Sequence, residues 1–528
     1  MCIRSWAGTV RIGTRAMSSH MKHVVERKPI LTPEEKREFE GYEFPFENLA
    51  FQGGGSKGLA YVGTFRVLEE VGIAKNLRRF SGTSIGAMMA MFAALGLDSF
   101  EMEEQTSFDF KTLVNDGRFG YVGAGINLYR KMGACPAHKL VKFFRERIES
   151  KFGNPDLTFK QLYRESGREL CLTAVSLNRL QAEYLHVKTT PDLPIWLGLR
   201  GAVTVPALMM PIKYKVMSKE DDIFVDGGVI HNYPVACFDG WYLSMDKADS
   251  FLRRFRDVLS LRDQFAGFNE KSIGAVVYSE DESESFKVAL EERACKNKKT
   301  GDAVPIPDTK RSRKKAQSND EKMKLHVSSK QALTKLVELL GSYDKDESGT
   351  ISKQEFKDSL EDATDMAFSD DDAKLLFGSD SKNPDAIFDL LDINGNGEIE
   401  FDELLAFAEK RGVDLMEELR GFERLADFDH VMGLLSALLS TLVINANRMS
   451  IKADDIDRTI GINTGYIGST DFPMESEDRD YIIQNGKVGT VYFLREYIKK
   501  HNLQKKAETN SGDAAESNDV TDVATPSE

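Results

Sequence analysis

Phe51-Gln52-Gly53-Gly54-Gly55-Ser56-Lys57-Gly58-Leu59-Ala60, followed downstream by Gly82-Thr83-Ser84-Ile85-Gly86, is the stretch whose reading decides the fold. Asn48 to Gln52 is short and apolar, and Leu59 to Val71 carries apolar residues at helical spacing, so the pattern predicts a strand, a glycine loop and a helix. Such a loop turns backbone N–H groups and a helix N-terminus toward an anion. A nucleotide phosphate loop requires Gly-x-x-x-x-Gly-Lys-Ser/Thr, and here Gly58 is followed by Leu59 and Ala60. The phosphate reading fails on those two residues. An oxyanion hole uses the same donors for a different charge, the alkoxide of a tetrahedral intermediate.

The second motif has the Gly-x-Ser-x-Gly form in which glycines permit a sharp strand-to-helix turn that exposes the serine oxygen. Arg79-Phe80-Ser81 reads as the end of the strand and Ala87 to Leu95 as the helix. A serine hydroxyl needs a base. In a serine, acid, late-histidine order, His138 and His186 come too early, His326 sits in a polar stretch and His501 is near the end. That leaves His430, between charged residues at a predicted helix start. Val225-Asp226-Gly227-Gly228 offers a different base: an apolar run ends in an aspartate fixed by two glycines. A plain Asp-Gly turn gives the same tripeptide.

Together these residues resemble the patatin-like phospholipases, whose glycine-rich oxyanion loop, Gly-x-Ser-x-Gly serine and Asp-Gly-Gly/Ala aspartate form a Ser-Asp dyad without histidine. The resemblance implies an α/β, three-layer α/β/α hydrolase domain. It assigns Ser84 as nucleophile, Asp226 as base, Gly53, Gly54, Gly55, Ser56, Lys57 and Gly58 as oxyanion donors, and Gly82, Gly86, Gly227 and Gly228 as the glycines of the elbow and acid motifs. Leu199-Arg200-Gly201-Ala202-Val203-Thr204-Val205-Pro206 is similar to the family's Arg-Ala-Ser-x-x-x-Pro segment, with Gly201 and Ala202 replacing Ala-Ser. Asp457 to Ile460, Thr470-Asp471-Phe472 and Tyr481 to Gly486 look like its closing portion.

Composition sets the frame around these motifs. At 528 residues the chain exceeds one core, and 41% hydrophobic with 29% charged residues is ordinary for a globular protein. The five cysteines are scattered without metal-like spacing, which argues against a disulfide framework and for a reducing compartment. No run is apolar enough to span a membrane; the nearest, Val431 to Ala446, reads as a buried helix. The first 25 residues carry Arg4, Arg11, Arg15 and Lys22 before any acid, like a mitochondrial transit peptide or a disordered extension. The expected location is intracellular, cytoplasmic or peripheral on membranes, with mitochondrial import as an alternative.

The net charge of -14 is concentrated: Ser342 to Leu404 holds 19 Asp and Glu against 5 Lys and Arg, so this block accounts for all of it. Asp344 to Glu355 and Asp392 to Glu403 are twelve-residue loops with oxygen side chains at positions 1, 3, 5, 9 and 12 and glycine at 6. Each looks like an EF-hand, in which position 7 adds its backbone carbonyl. The candidate calcium ligands are Asp344, Asp346, Ser348, Thr350 and Glu355 in the first loop, and Asp392, Asn394, Asn396, Glu398 and Glu403 in the second. Apolar residues at helical spacing flank both loops.

The expected organisation is an N-terminal extension (1–45), the first part of the hydrolase domain (46–295), a basic polar linker (296–330), an inserted all-α EF-hand pair (331–412), the closing part of the hydrolase domain (413–503) and a disordered tail (504–528). The linker holds Lys298, Lys299, Lys310, Arg311, Arg313, Lys314 and Lys315, a solvated run or a dock for anionic lipid headgroups. The expected activity is glycerolipid acyl-ester hydrolysis at a membrane or lipid-droplet surface, with calcium regulatory, no cofactor for hydrolysis and no nucleic-acid partner. The alternatives are a catalytically idle, calcium-dependent lipid-binding or scaffolding protein, and a histidine-dependent esterase.

Overall fold

The computed structural model describes residues 27–106, 112, 127–215, 220–260, 264–280, 286–344, 348–362, 369–378, 383–410, 434, 437–438, 441–446 and 451–506. Its centre is an eight-stranded mixed sheet: β1 (Asn48–Phe51), β2 (Arg79–Thr83), β3 (Glu169–Ser176), β4 (Gln181–Leu185), β5 (Ile212–Tyr214), β6 (Asp222–Asp226), β7 (Ser272–Tyr278) and β8 (Thr459–Asn463). β8, β7, β1, β2 and β3 run parallel in that order. β4 and β6 are antiparallel to β3, and β5 is antiparallel to β6.

Side chains alternate between two covered faces, the condition that makes a central parallel strand apolar throughout. Leu49 and Phe51 of β1, Leu170, Leu172 and Ala174 of β3, and Ile273 and Val277 of β7 enter the main core. Ala50, Val276, Tyr278 and Cys171 point the other way, against the 233–243 segment and the helix Lys287–Asn297.

Four helices position the site: α1 (Ala60–Glu70), α2 (Ile85–Leu95), α3 (Lys310–Tyr343) and α4 (Ser476–Lys500). α2, Ile-Gly-Ala-Met-Met-Ala-Met-Phe-Ala-Ala-Leu, is apolar all round, and every residue from Gly86 to Leu95 is buried. α1 and α4 cross so closely that a Cβ on Gly63 would lie 1.9 Å from the Ile483 carbonyl oxygen, and one on Gly486 1.9 Å from that of Ala60. The strand β8 and helix α4, which follow the acidic block in sequence, are thereby built into the same sheet and core as residues 48–278.

The acidic block forms its own cluster around Leu333, Leu336, Phe356, Phe388, Leu391 and Phe407. Its two loops are joined by antiparallel pairing of Ile351 with Ile399 and of Ser352 with Glu398.

Two expectations change. The basic stretch is not a linker up to residue 330, because α3 begins at Lys310 and continues unbroken for 34 residues into the first loop. Thr309 caps it, accepting from the Ser312 amide while the Ser312 hydroxyl accepts from the Thr309 amide. Of the 431–446 stretch, expected as a buried helix, only 434, 437–438 and 441–446 are described; these are helical, and Leu434, Leu438 and Leu442 among them are about half exposed. The N-terminal extension before Arg27, the exit from the EF-hands at 411–433 and the tail from 507 lie outside the described residues. Among the described residues no helix is long and apolar enough to cross a membrane.

The helix crossing gives a stability prediction. Gly486→Ala forces a methyl into the Ala60 carbonyl and should destabilise the sheet domain by about 1–3 kcal/mol. Gly341→Ala, in α3 with nothing within 4 Å, should be neutral or stabilise by up to about 1 kcal/mol. Denaturant titration of the two variants against wild type measures the contrast.

Candidate active site

β3 is long enough to serve two partners along one edge. Its Glu169–Thr173 half pairs with β2, in the register Gly82 to Leu172 and Thr83 to Thr173. Its last residues pair with β6, in the register Ser176 to Phe224, Val175 to Val225 and Ala174 to Asp226. Because β4 occupies Leu172–Ser176 from the opposite edge, β2 and β6 must lie on the same side and meet end to end. Thr83 and Asp226 therefore stand beside consecutive residues of β3, about 3.3 Å apart along the strand.

Ser84 follows at the turn into α2 with φ 55° and ψ -126°, a backbone conformation that a side-chain-bearing residue adopts only under constraint. The flanking glycines supply the space. A Cβ on Gly82 would lie 2.2 Å from the Gly86 carbonyl oxygen, and one on Gly86 2.4 Å from that of Phe51. Gly227 is crowded in the same way by the Thr173 carbonyl oxygen, at 2.4 Å.

The Arg200–Pro206 segment holds both residues by their backbones: Ser84 N–H donates to Ala202 O (3.2 Å) and Asp226 N–H to Thr204 O (2.8 Å). Arg200 is buried, bonded to Thr204 Oγ1 and, at 2.8 Å, to Met210 O. The replacement by Gly201 and Ala202 leaves this scaffold intact.

Asp226 is buried, and its Oδ1 accepts from the Gly228 amide at 2.8 Å, whereas among the described residues no group bonds to Oδ2, the Ser84 hydroxyl standing near it without a formed hydrogen bond. Burial pushes its pKa up to about 6, against the lowering effects of the Gly228 amide and the neighbouring Ser84 hydroxyl. Burial thus brings the carboxyl toward the neutral range in which a base must work, with one oxygen uncommitted among the described residues.

The glycine loop opens as a short 3-10 turn, Gly55–Leu59, with Gly55 at φ 57°. Its six residues do different jobs, which narrows the oxyanion expectation. The amides of Gly53, Ser56 and Lys57 are already bonded, to Asn232 O (3.0 Å), Ser469 O (2.9 Å) and Gly54 O (3.2 Å). Gly58 gives room to the elbow, since a Cβ there would lie 2.6 Å from Ile85 Cγ1. The Gly54 and Gly55 amides have no partner among the described residues. Asn232 locks the loop from the other side, its Nδ2 donating to Gly53 O at 3.1 Å and its own carbonyl accepting from the Gly53 amide. Sequence reasoning missed it; the only signal was a polar residue six positions beyond Asp226.

Residues 49–239 match the family model of the patatin-like phospholipases, and 336–360 with 385–408 match EF-hand models. The chain carries a patatin-like phospholipase domain and a pair of EF-hands. The domain is 29% identical over 199 residues to uncharacterized protein R571 of Acanthamoeba polyphaga mimivirus, covering 37% of this chain and 63% of the viral one. It is 24% identical over 191 residues to the probable lipid hydrolase 463L of Invertebrate iridescent virus 6, covering 36% of this chain and 62% of that relative. A third similarity, 26% over 189 residues, is to lysophospholipase nte1 of Emericella nidulans, covering 36% of this chain but 11% of the relative. The match thus spans less than two thirds of these relatives' own lengths.

Among the described residues no histidine in or around the patatin-like domain bonds to Ser84 or Asp226. His186 is buried against Glu169 Oε2 (3.1 Å), and His138 and His501 are exposed. His231, not weighed from the sequence, is half-buried with Nδ1 on the Tyr184 hydroxyl (2.9 Å), and desolvation lowers its pKa to about 4. His430 lies outside the described residues.

The EF-hand loops fit a hard cation by their conformation and donor set. The position-6 glycines, Gly349 (φ 77°) and Gly397 (φ 86°), are left-handed, as the sharp turn requires. In the second loop Asp392 accepts from the Gly395, Asn396 and Gly397 amides, and Glu403 at position 12 reaches back to the Asn394 and Glu400 amides, so both carboxylates face into the loop. In the first, Asp344 accepts from Ser348 and Gly349, Glu355 from Ser352, and Thr350 donates to Glu398. Asp346 lies outside the described residues. Among the described residues no three His, Cys, Asp or Glu side chains form a cage; Asn394, Asn396 and the position-7 carbonyls make up the oxygen set.

The raised Asp226 pKa has a consequence for stability. Its folded value lies above the unfolded one, near 4, so ionising it costs folding free energy; the cost is absent below about pH 4 and complete above about pH 6. Asp226→Asn should therefore be more stable than wild type at pH 7.5, by up to about 3 kcal/mol, with the difference vanishing at pH 4. Denaturation midpoints of the two proteins across that range check the sign.

Proposed function

We propose that the protein is a serine acylhydrolase of glycerolipid esters, working at a membrane or lipid-droplet surface through a Ser84–Asp226 dyad, with calcium as regulator. The observation that carries this reading is the end-to-end meeting of β2 and β6, which sets a strained serine beside a buried carboxylate whose Oδ2 has no partner among the described residues.

Ser84 Oγ attacks the ester carbonyl carbon while its proton passes to Asp226 Oδ2. The carbonyl oxygen becomes an alkoxide, whose charge the Gly54 and Gly55 amides, unpartnered among the described residues, and the N-terminal end of α2 would stabilise. Collapse expels the alcohol portion of the lipid, which takes the proton back from Asp226. Water then attacks the acyl-serine with Asp226 again as base, releasing the fatty acid and restoring the hydroxyl. Placing base and nucleophile at adjacent strand ends supplies the positioning term without a histidine.

Calcium, when bound, would supply charge neutralisation that closes the loops around Asp344 to Glu355 and Asp392 to Glu403. The hydrolytic steps use only the chain's own groups. The first two relatives share under a third of their residues with this chain, and the names of two of the three describe lipid hydrolases, which supports the substrate class.

Fatty-acid release from a panel of phospholipids, lysophospholipids and triacylglycerols tests the proposal. Ser84→Ala should lose about a thousandfold or more in turnover with calcium binding intact. For wild type, kcat/KM should rise with pH to a plateau, with an apparent pKa near 6 as Asp226 ionises. Unchanged turnover in Ser84→Ala removes the serine from the mechanism, and full activity in Asp226→Asn favours a histidine base. Glu403→Gln should leave hydrolysis possible while reducing the calcium stoichiometry, read by calorimetry, from two to one.

A further inference from the structure

The glycine loop is held from one side by residues far away in sequence. Ser56 N–H donates to Ser469 O (2.9 Å), Ser56 Oγ donates to Gly468 O (2.6 Å), and the Asp471 amide donates to Ser56 Oγ (3.0 Å). Asp471 Oδ2 closes the turn by accepting from the Gly468 amide at 2.8 Å. The contact is tight enough that a Cβ on Gly55 would lie 2.0 Å from Ser469 O. The position of the Gly54 and Gly55 amides is therefore set by the 468–471 turn.

That turn is tied in its own right to the first turn of α3. Arg311 reaches Asp471 Oδ1 (3.4 Å), Asp478 Oδ2 (2.9 Å) and Pro473 O (2.9 Å). Asp478 is fully buried, and the Thr309 and Tyr466 hydroxyls donate to its other oxygen at 2.8 and 2.6 Å. A buried carboxylate requires such partners, so the junction binds the 466–478 segment directly to the start of α3. From Arg311 the same helix runs to Tyr343, immediately before Asp344, the first ligand position of the first EF-hand loop. Near its far end Leu333, Leu336 and Leu340 are packed in the core of the EF-hand pair. One helix of 34 residues, about 50 Å long, thus has the calcium loop at one end and the clamp on the glycine loop at the other.

We propose that Arg311 is a positioning residue that transmits the calcium state of the EF-hand pair to the Gly54–Gly55 amides through Asp471 and Ser56. The proposal rests on the reading of those amides as the oxyanion hole. In sensor-type EF-hands calcium reorients the helices that flank the loop, here α3 for the first loop, and a continuous helix gives that reorientation a path to its first turn. A displacement of the loop by a fraction of an ångström is enough to matter, because misplacing a catalytic group by about 1 Å costs on the order of a hundredfold.

The test uses the full chain as wild type, Arg311→Gln, Arg311→Lys and Asp471→Asn, each with calcium or with chelator. Three readouts are taken: calorimetric calcium binding, amide hydrogen exchange of peptides spanning 53–58, and turnover of a soluble short-chain ester. In wild type, calcium should change both loop exchange and turnover by about fivefold or more. In Arg311→Gln calcium still binds but both ratios fall to about one, while Arg311→Lys retains part of the response. A wild-type loop indifferent to calcium, or an Arg311→Gln loop that responds as wild type does, overturns the proposal. Should Arg311→Gln unfold, Asp471→Asn, which keeps the Arg311–Asp478 pair, decides by the same criterion. A loop that responds in wild type and not in the variants, with no ester turned over, sustains the coupling and removes the hydrolase reading instead.

Discussion

Everything at the site depends on how β3 spends one edge. Its first five residues pair with a parallel strand and its last three with an antiparallel one, so two chains running in opposite directions end against each other. Strand ends are where backbone geometry can turn sharply, and both ends here carry glycines that let neighbouring carbonyls approach within about 2.4 Å of where a Cβ would stand. The serine's strained turn and the aspartate's burial are consequences of that meeting. Neither residue could be placed by local preference, which disfavours both a serine at φ 55° and an ionised buried carboxylate.

The surroundings hold that unfavourable arrangement in place. Ala202 and Thr204 fix the Ser84 and Asp226 backbones, and Asn232 binds both the amide and the carbonyl of Gly53. The apolar α2 packs against β2 directly behind Ser84. Such sites trade stability for function, since local strain persists only where the fold over-determines it. The second clamp on the glycine loop comes from the part of the domain that follows the EF-hands, so the insertion separates in sequence two segments that are in direct contact in space.

Much of this was legible in the residues. The strand-glycine-helix pattern placed β1 and α1, the Gly-x-Ser-x-Gly spacing placed β2 and α2, and two twelve-residue loops declared themselves by ligand chemistry alone. The apolar run before Asp226 correctly marked a strand end. What was not legible depended on contacts distant in sequence. Asp471 and Ser56 are 415 positions apart, and nothing local about either indicates the other. The division of labour within Gly53 to Gly58 needed the positions of Asn232, Ser469 and Ile85. The first part of α3, up to residue 330, reads as a linker because it lacks an apolar period; its start is fixed by the Thr309 cap and by Arg311 on Asp478, not by amphipathicity. Leu434, Leu438 and Leu442 differ in the opposite sense, since apolar spacing predicts a face but not whether anything covers it.

The central claim is that the meeting of β2 and β6 makes Ser84 a nucleophile served by Asp226. The most direct measurement is covalent trapping of the intact protein with a fluorophosphonate, with the adduct located by peptide mass spectrometry and its rate followed against pH. The account predicts a single adduct on the peptide containing Ser84, formed at a rate that climbs as pH passes through about 6. An adduct on another residue, or continued ester hydrolysis with Ser84 unmodified, would contradict it.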